Sequence, residues 1–60
     1  MLAPERQSRI LSELQHAEAV RVADLAKTLM VSEMTVRRDI EALEERQQLR
    51  RVHGGAVRLP

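Results

Sequence analysis

The segment from residue 32 to residue 38 holds the side chains whose types and spacing suggest the clearest chemistry. It reads Ser-Glu-Met-Thr-Val-Arg-Arg. A guanidinium group is a planar fork of donors that fits a phosphate or a guanine edge, and a threonine can contact a phosphate or a thymine methyl. Adjacent helical residues diverge by about 100°, so Arg37 and Arg38 point in different directions. We expect Arg38 to reach a base and Arg37 a phosphate, with Thr35 beside them.

The helix that must carry this segment is delimited by its own residues. Ser32 is a favourable N-cap and Glu33 suits the positive end of the helix dipole, which predicts a helix from Glu33 to about Arg46. A narrow apolar stripe docks this helix on the rest of the chain: Val36, Ile40 and Leu43.

The outward face of this third helix changes character along its length. Its first two turns carry Met34 and Arg38, whereas its last turns carry three carboxylates: Glu41, Glu44 and Glu45. An anionic duplex is therefore expected to meet the N-terminal turns, as a recognition helix does, with the acidic end pointing away. Asp39 lies toward the core side, where it either pairs with an arginine or caps a backbone group. An ordinary amphipathic helix with a solvated charged face is the alternative interpretation.

Two further helices and a short strand are predicted before it. Pro4 suits the start of a first helix that fades near residues 16–18, with one apolar face: Ile10, Leu11 and Leu14. The alternation over residues 19–22 fits a short strand. A second helix begins near Ala23 and Asp24, buries Leu25, Ala26 and Leu29, and ends at a break over residues 30–32.

The segment after residue 48 predicts a β-hairpin with strands at 49–52 and 57–59. A two-residue Gly54-Gly55 turn places Arg51 opposite Arg58 and puts Val52 and Val57 on the body of the domain. Two adjacent cations favour a polyanion as partner, since like charges opposite each other repel. The glycines allow backbone N–H groups to approach a phosphate or a minor groove, and His53 either donates to a phosphate or ends the strand.

Charge and composition exclude several classes of protein. The 60 residues form one domain, and their net charge of +1 hides a segment without acids after Glu45. With no cysteine and two histidines, we expect no disulfide, metal site or cofactor. The absence of aromatic residues argues against a platform for single-stranded nucleic acid. No membrane span or secretory signal is visible, so a cytoplasmic location is expected. Scattered Ser, His and Asp residues do not form an enzyme site.

Several strings of the sequence resemble the DeoR-type helix-turn-helix over about residues 5–57. They are Glu-Arg-Gln at 5–7, Val-Arg-Val at 20–22, Asp-Leu-Ala at 24–26, Val-Ser-Glu-Met-Thr-Val-Arg-Arg-Asp-Ile at 31–40, Leu-Glu at 43–44, and Leu-Arg-Arg-Val-His-Gly-Gly-Ala at 49–56. The resemblance implies a winged-helix domain over residues 3–58, with the helix-turn-helix at about 20–39 and the wing at about 49–59. Its class is mainly α with a small β-hairpin (α+β): three helices plus a two-stranded wing.

The resemblance also implies a function, namely sequence-specific binding of a double-stranded DNA operator by the N-terminal module of a bacterial transcriptional regulator. We expect a repressor of sugar or related metabolite genes that is a homo-oligomer at full length, with no membrane partner. A phosphorylated sugar or similar effector is expected on a C-terminal domain absent from this chain. The alternative is a winged helix that binds another protein. The expected DNA-binding residues are Ser32, Glu33, Met34, Thr35, Arg37, Arg38, Arg51, His53, Gly54, Gly55 and Arg58.

Three positions depart from the pattern of this family. Where it usually has glycine or another residue that tolerates positive φ, the sequence has Glu18, Met30 and Gln47. A left-handed conformation costs a residue with a side chain roughly 1 kcal/mol or more. We therefore expect strain in these turns, or a change in their shape.

Overall fold

The computed structural model describes residues 1–60 and confirms the predicted order of elements. The elements are α1 (Ala3–His16), β1 (Ala19–Arg21), α2 (Val22–Leu29), α3 (Glu33–Glu45), β2 (Arg50–Val52) and β3 (Gly55–Val57). The α+β class is as predicted, but the wing is not limited to two strands. β1 joins the hairpin to make an antiparallel three-stranded sheet in the order β1-β3-β2. None of the three helices combines the length and the apolar composition needed to cross a bilayer.

The core is made only of aliphatic side chains drawn from every helix, from two strands and from the loop before β2. Its buried members are Ile10, Leu14, Val20, Val22, Leu25, Leu29, Val36, Ile40, Leu43, Leu49 and Ala56. The predicted stripe of α3 lies at its centre, packed against α1 and α2. A chain of this length buries only about 60% of its unfolded surface, so small local effects matter to its stability.

The helix starts follow from local hydrogen bonding. The carboxylate of Glu5 accepts from the backbone N–H of Leu2 at 3.0 Å at the start of α1. The hydroxyl of Ser32 accepts from the backbone N–H of Thr35 at 3.1 Å, which confirms Ser32 as the N-cap of α3. These contacts satisfy N–H groups that the first turn of a helix leaves without partners.

The chain leaves both α2 and α3 through a residue in the left-handed conformation. Met30 has φ 59° and Gln47 has φ 60°. The next N–H in each case reaches back five residues, from Val31 to the carbonyl of Ala26 and from Gln48 to that of Leu43. This closure requires a residue at positive φ, which explains why glycine suits both positions.

Glu18 does not share this geometry, so of the two expected outcomes, strain or a change in shape, the second holds there. Positive φ among residues with a side chain is confined to Met30 and Gln47. The backbone of Ala17 is already extended, and the carbonyl of Glu18 accepts from the N–H of Arg58 at 2.9 Å. The chain leaves α1 directly along the end of the sheet and makes no reversing turn.

The hairpin register differs from the prediction by one residue. Its turn is His53-Gly54, with Val52 opposite Gly55 and Arg51 opposite Ala56, so Arg51 does not face Arg58. The reason is steric, because a Cβ at Gly55 would collide with the backbone carbonyl oxygen of Val20 on β1. Gly55 therefore belongs to β3. The predicted valine pair is absent, and Val52 is exposed rather than resting on the domain.

An ion pair between the buried Asp39 and the partly exposed Arg6 holds α3 on α1. Asp39 is 3% exposed and accepts from Arg6 Nε at 2.6 Å, from Arg6 Nη2 at 3.3 Å and from Gln7 Nε2 at 3.3 Å. Gln7 also accepts from Arg46 Nη1 at 3.1 Å. The hydrogen bond to Asp39 raises the pKa of Arg6, with burial opposing and the charge of Asp39 adding to it. The predicted pairing of Asp39 with an arginine is confirmed.

The left-handed residues lead to a first prediction. Met30→Gly and Gln47→Gly should each raise the free energy of unfolding by about 0.5–1 kcal/mol, because relief of strain exceeds the entropy that glycine adds to the unfolded chain. Urea unfolding followed by circular dichroism measures the change. Glu18→Gly is the matched control and should be destabilising; a gain of equal size at all three positions would contradict the assignment of strain.

The ion pair of Asp39 leads to a second prediction. Asp39→Leu should lower the free energy of unfolding, since it leaves the guanidinium of Arg6 without its partner. The double variant Arg6→Met/Asp39→Leu should recover most of that loss, because it replaces both charges with apolar groups. Glu45→Gln, on the exposed end of α3, should stay within about 0.5 kcal/mol of wild type in the same unfolding experiment. No recovery in the double variant would show that the loss comes from packing rather than from an unpaired charge.

Candidate nucleic-acid interface

The outward face of α3 presents one arginine that nothing in the protein engages. The side chain of Arg38 is exposed and forms neither a hydrogen bond nor an ion pair with another residue. Met34, one turn earlier on the same face, is 58% exposed. An unpaired guanidinium keeps all its donors available for an external partner. This is the position that the sequence analysis chose for a base contact.

Arg37 is held differently. Its Nη2 donates to Glu33 Oε1 at 3.1 Å, and the two side chains are 57% and 50% exposed. An exposed pair at this spacing contributes about 0.3–0.5 kcal/mol, so an external anion can exchange with it. Arg37 lies on the flank of α3 that faces the wing, away from Arg38.

Ser32 and Thr35 are occupied at the start of α3. The Ser32 hydroxyl accepts from the Thr35 backbone N–H, and the two hydroxyl oxygens are 3.0 Å apart in a second hydrogen bond. Thr35 is half-buried and Ser32 exposed. Both hydroxyls serve the helix cap first, and a contact with an external group uses their remaining hydrogen-bonding capacity.

A groove between α3 and the wing collects several of the other predicted residues. Arg37 and Ile40 line it on one side, and Arg51 together with residues 52–55 lines it on the other. The N–H of Val22 donates to the carbonyl of Gly54 at 2.9 Å, which ties the wing turn to the start of α2. The predicted site residues Arg37, Arg51, His53, Gly54 and Gly55 are thus brought to one place.

The acidic end of α3 does not simply point away; it holds the wing. Arg51 Nη1 lies 3.6 Å from Glu41 Oε2, and the backbone N–H of Arg51 donates to Glu44 Oε2 at 2.9 Å. Since β2 is an edge strand, the Glu44 carboxylate satisfies a backbone group that no neighbouring strand reaches. Arg51 is consequently anchored to α3 while its side chain stays 55% exposed.

Arg58 is not brought together with the other predicted residues. It follows the end of β3 that is remote from the wing turn, and its Nη1 donates to the carbonyl oxygens of Leu14 and Gln15 at 3.4 Å. These are carbonyls of the last turn of α1, where a cation is favourable.

Arg21 is a cation near the wing that the sequence analysis did not single out. It is exposed, lies opposite Gly55 at the end of β1 and directly precedes α2. It forms no ion pair. The signal was present in the alternation of residues 19–22, which places Arg21 outside the core and next to a helix start.

Three relatives illustrate what this chain is similar to. It is 44% identical over 59 residues to the uncharacterized HTH-type transcriptional regulator FruR of Bacillus subtilis (strain 168), covering 98% of this chain and 24% of that protein. It is 41% identical over 56 residues to the lactose phosphotransferase system repressor of Streptococcus mutans, covering 93% and 22%. It is 36% identical over 55 residues to the putative galactitol utilization operon repressor of Escherichia coli (strain K12), covering 92% and 49%.

The chain therefore spans about a quarter of the length of the first two relatives and about half of the third. No solved structure is significantly similar to it. The relatives are transcriptional regulators, in agreement with the prediction that this chain is not an enzyme. The family profile of the DeoR-like helix-turn-helix domain matches residues 6–59. This chain therefore belongs to the family of the DeoR-like helix-turn-helix domain.

Proposed function

We propose that this domain binds double-stranded DNA with sequence specificity, with the first two turns of α3 in the major groove. The observation that carries the proposal is the exposed, unpaired Arg38 on the outward face of α3. A major groove admits one helix, and an arginine donating to the O6 and N7 atoms of guanine is the commonest specific contact there. The ion pair of Asp39 supports it by holding the rotation of α3 about its axis.

The wing contacts the DNA backbone, or enters the minor groove, beside the bound helix. Its turn is short and tied to α2, so it lies close to α3 and does not extend as a free arm. The exposed His53 and the open backbone at Gly54 suit a phosphate contact. The full set of proposed DNA-binding residues is Ser32, Glu33, Met34, Thr35, Arg37, Arg38, Arg51, His53, Gly54, Gly55 and Arg58. We add Arg21 to this set because it is exposed beside the wing and forms no ion pair.

In the cell, we infer that the domain serves a repressor of sugar or related metabolite genes. Two relatives are named as repressors of a lactose phosphotransferase system and of a galactitol operon, and the relatives continue well beyond the matched region. That additional length supports a further domain, with a phosphorylated sugar or similar effector and a homo-oligomeric assembly. An oligomer would place two such domains on two operator half-sites.

Arg38→Ala tests the base contact. An operator duplex selected from a random-sequence pool and a scrambled duplex of equal composition are titrated by fluorescence anisotropy over a series of salt concentrations. The variant should lose about 1–3 kcal/mol of discrimination at one base pair, with less change on the scrambled duplex. Arg9→Ala, which removes one exposed charge from α1, is the matched control. Equal wild-type binding to both duplexes, or binding that salt does not weaken, would contradict the proposal.

Arg51→Ala and Arg58→Ala test the backbone contacts. Each is expected to weaken binding to operator and scrambled DNA by the same factor and to reduce the salt slope by about one, since a phosphate carries no sequence information. The effect should be larger for Arg51, which lines the groove beside α3, than for Arg58, which caps α1. The same titrations measure both variants. A loss that depends on the duplex sequence would show that the wing reads bases.

A further inference from the structure

Acidic and basic side chains alternate along the flank of α3 that faces the wing. Glu33 pairs with Arg37 at 3.1 Å, and Glu41 pairs with Arg51 at 3.6 Å. Each arginine of the groove is thereby matched by a carboxylate of α3. The two arginines that line the groove are therefore each paired in the free protein, whereas Arg38 on the outward face and Arg21 beside the wing form no ion pair.

Glu33 differs from Glu41 in where it lies. It is the first residue of α3, directly after the N-cap, at the end that enters the major groove in the proposed function. Its side chain is 50% exposed. A carboxylate at this position meets the phosphates of any duplex that approaches, whereas Glu41 lies two turns further along the helix and faces the wing.

The ion pair between Glu33 and Arg37 affects the binding of random DNA and of an operator differently. On random DNA, a phosphate that takes Arg37 only replaces the carboxylate already bound there, and it brings Glu33 against the anionic backbone. On an operator with a cytosine beside the start of α3, the carboxylate of Glu33 can instead accept from the N4 amino group of that base while it still pairs with Arg37. The repulsion is therefore relieved only on the correct sequence.

We propose that Glu33 is a specificity-determining residue, whose ion pair with Arg37 lowers affinity for non-operator DNA more than for the operator. The inference rests on the proposed function, since it requires that α3 binds duplex DNA through its N-terminal turns. A purely structural role is the competing explanation, because an acid in the first turn stabilises a helix through its dipole. A purely structural role predicts that loss of the Glu33 charge lowers the melting temperature and leaves the ratio of the affinities for operator and non-operator DNA unchanged.

The test compares Glu33→Gln with wild type in the 60-residue chain. Affinities for the selected operator and its scrambled counterpart are measured over a series of salt concentrations, and melting temperatures are measured by circular dichroism. Glu33→Gln should bind the scrambled duplex about twofold more tightly, the change expected from one exposed charge pair at this spacing, and with a steeper salt dependence. The operator affinity should rise less or fall, so the specificity ratio decreases.

Two variants serve as controls for this experiment. Glu33→Asp keeps the negative charge at the helix start and should retain the low affinity for scrambled DNA. Glu45→Gln removes an exposed acid without an ion pair from the last turn of α3 and should leave the ratio unchanged.

The outcomes separate this inference from the proposed function. A wild-type chain that does not distinguish operator from scrambled DNA overturns both. If wild type discriminates and Glu33→Gln keeps the same ratio, with both affinities raised, lowered or unchanged together, the inference alone is overturned. A lower ratio in Glu33→Gln that Glu33→Asp restores supports it, and a lower ratio that Glu45→Gln reproduces overturns it.

Discussion

The burial of one carboxylate in an otherwise aliphatic core constrains the rest of this domain. Asp39 is the only charged side chain buried in the core, and a buried charge without a partner is strongly destabilising. The partners come from α1, through Arg6 and Gln7, so α3 has one favourable rotation about its axis. That rotation brings Val36 and Ile40 into the core and leaves the neighbouring Arg38 outside it. The contact of Asp39 with α1 thus determines which side chains of α3 pack in the core and which remain exposed.

Most acids of α3 pair with a cation or hold a backbone group, so the net charge of only +1 is compatible with an exposed cationic side chain on its outward face. Asp39 fixes the helix to α1, and Glu44 with Glu41 fixes the wing to the helix. Glu33 holds Arg37 at the opposite end. Most carboxylates of the helix therefore position cationic groups or backbone groups. The net charge is therefore a poor guide to a binding surface. The ion pairs show which cationic side chains are already engaged within the protein and which are not.

The wing is integrated with the body of the domain by close backbone contact. β3 lies between β1 and β2, and Gly55 allows the carbonyl of Val20 to approach where any Cβ would collide. The N–H of Val22 then holds the turn through Gly54. Because these contacts involve backbone atoms, they restrict the wing more tightly than side-chain contacts would. The groove next to α3 consequently has a defined wall.

Local signals in the sequence determined the helices, the Ser32 cap and the apolar stripe of α3, because these depend on residues a few positions apart. They also indicated left-handed turns at Met30 and Gln47, which close ordinary helix ends. Only the tertiary structure decided the hairpin register, since it depends on the carbonyl of Val20 in a distant strand. It likewise decided that Glu18 stays out of the left-handed region and that Arg58 turns back to α1. Arg6 and Arg58 are engaged by residues far away in the sequence, and the sequence pattern does not contain those distances.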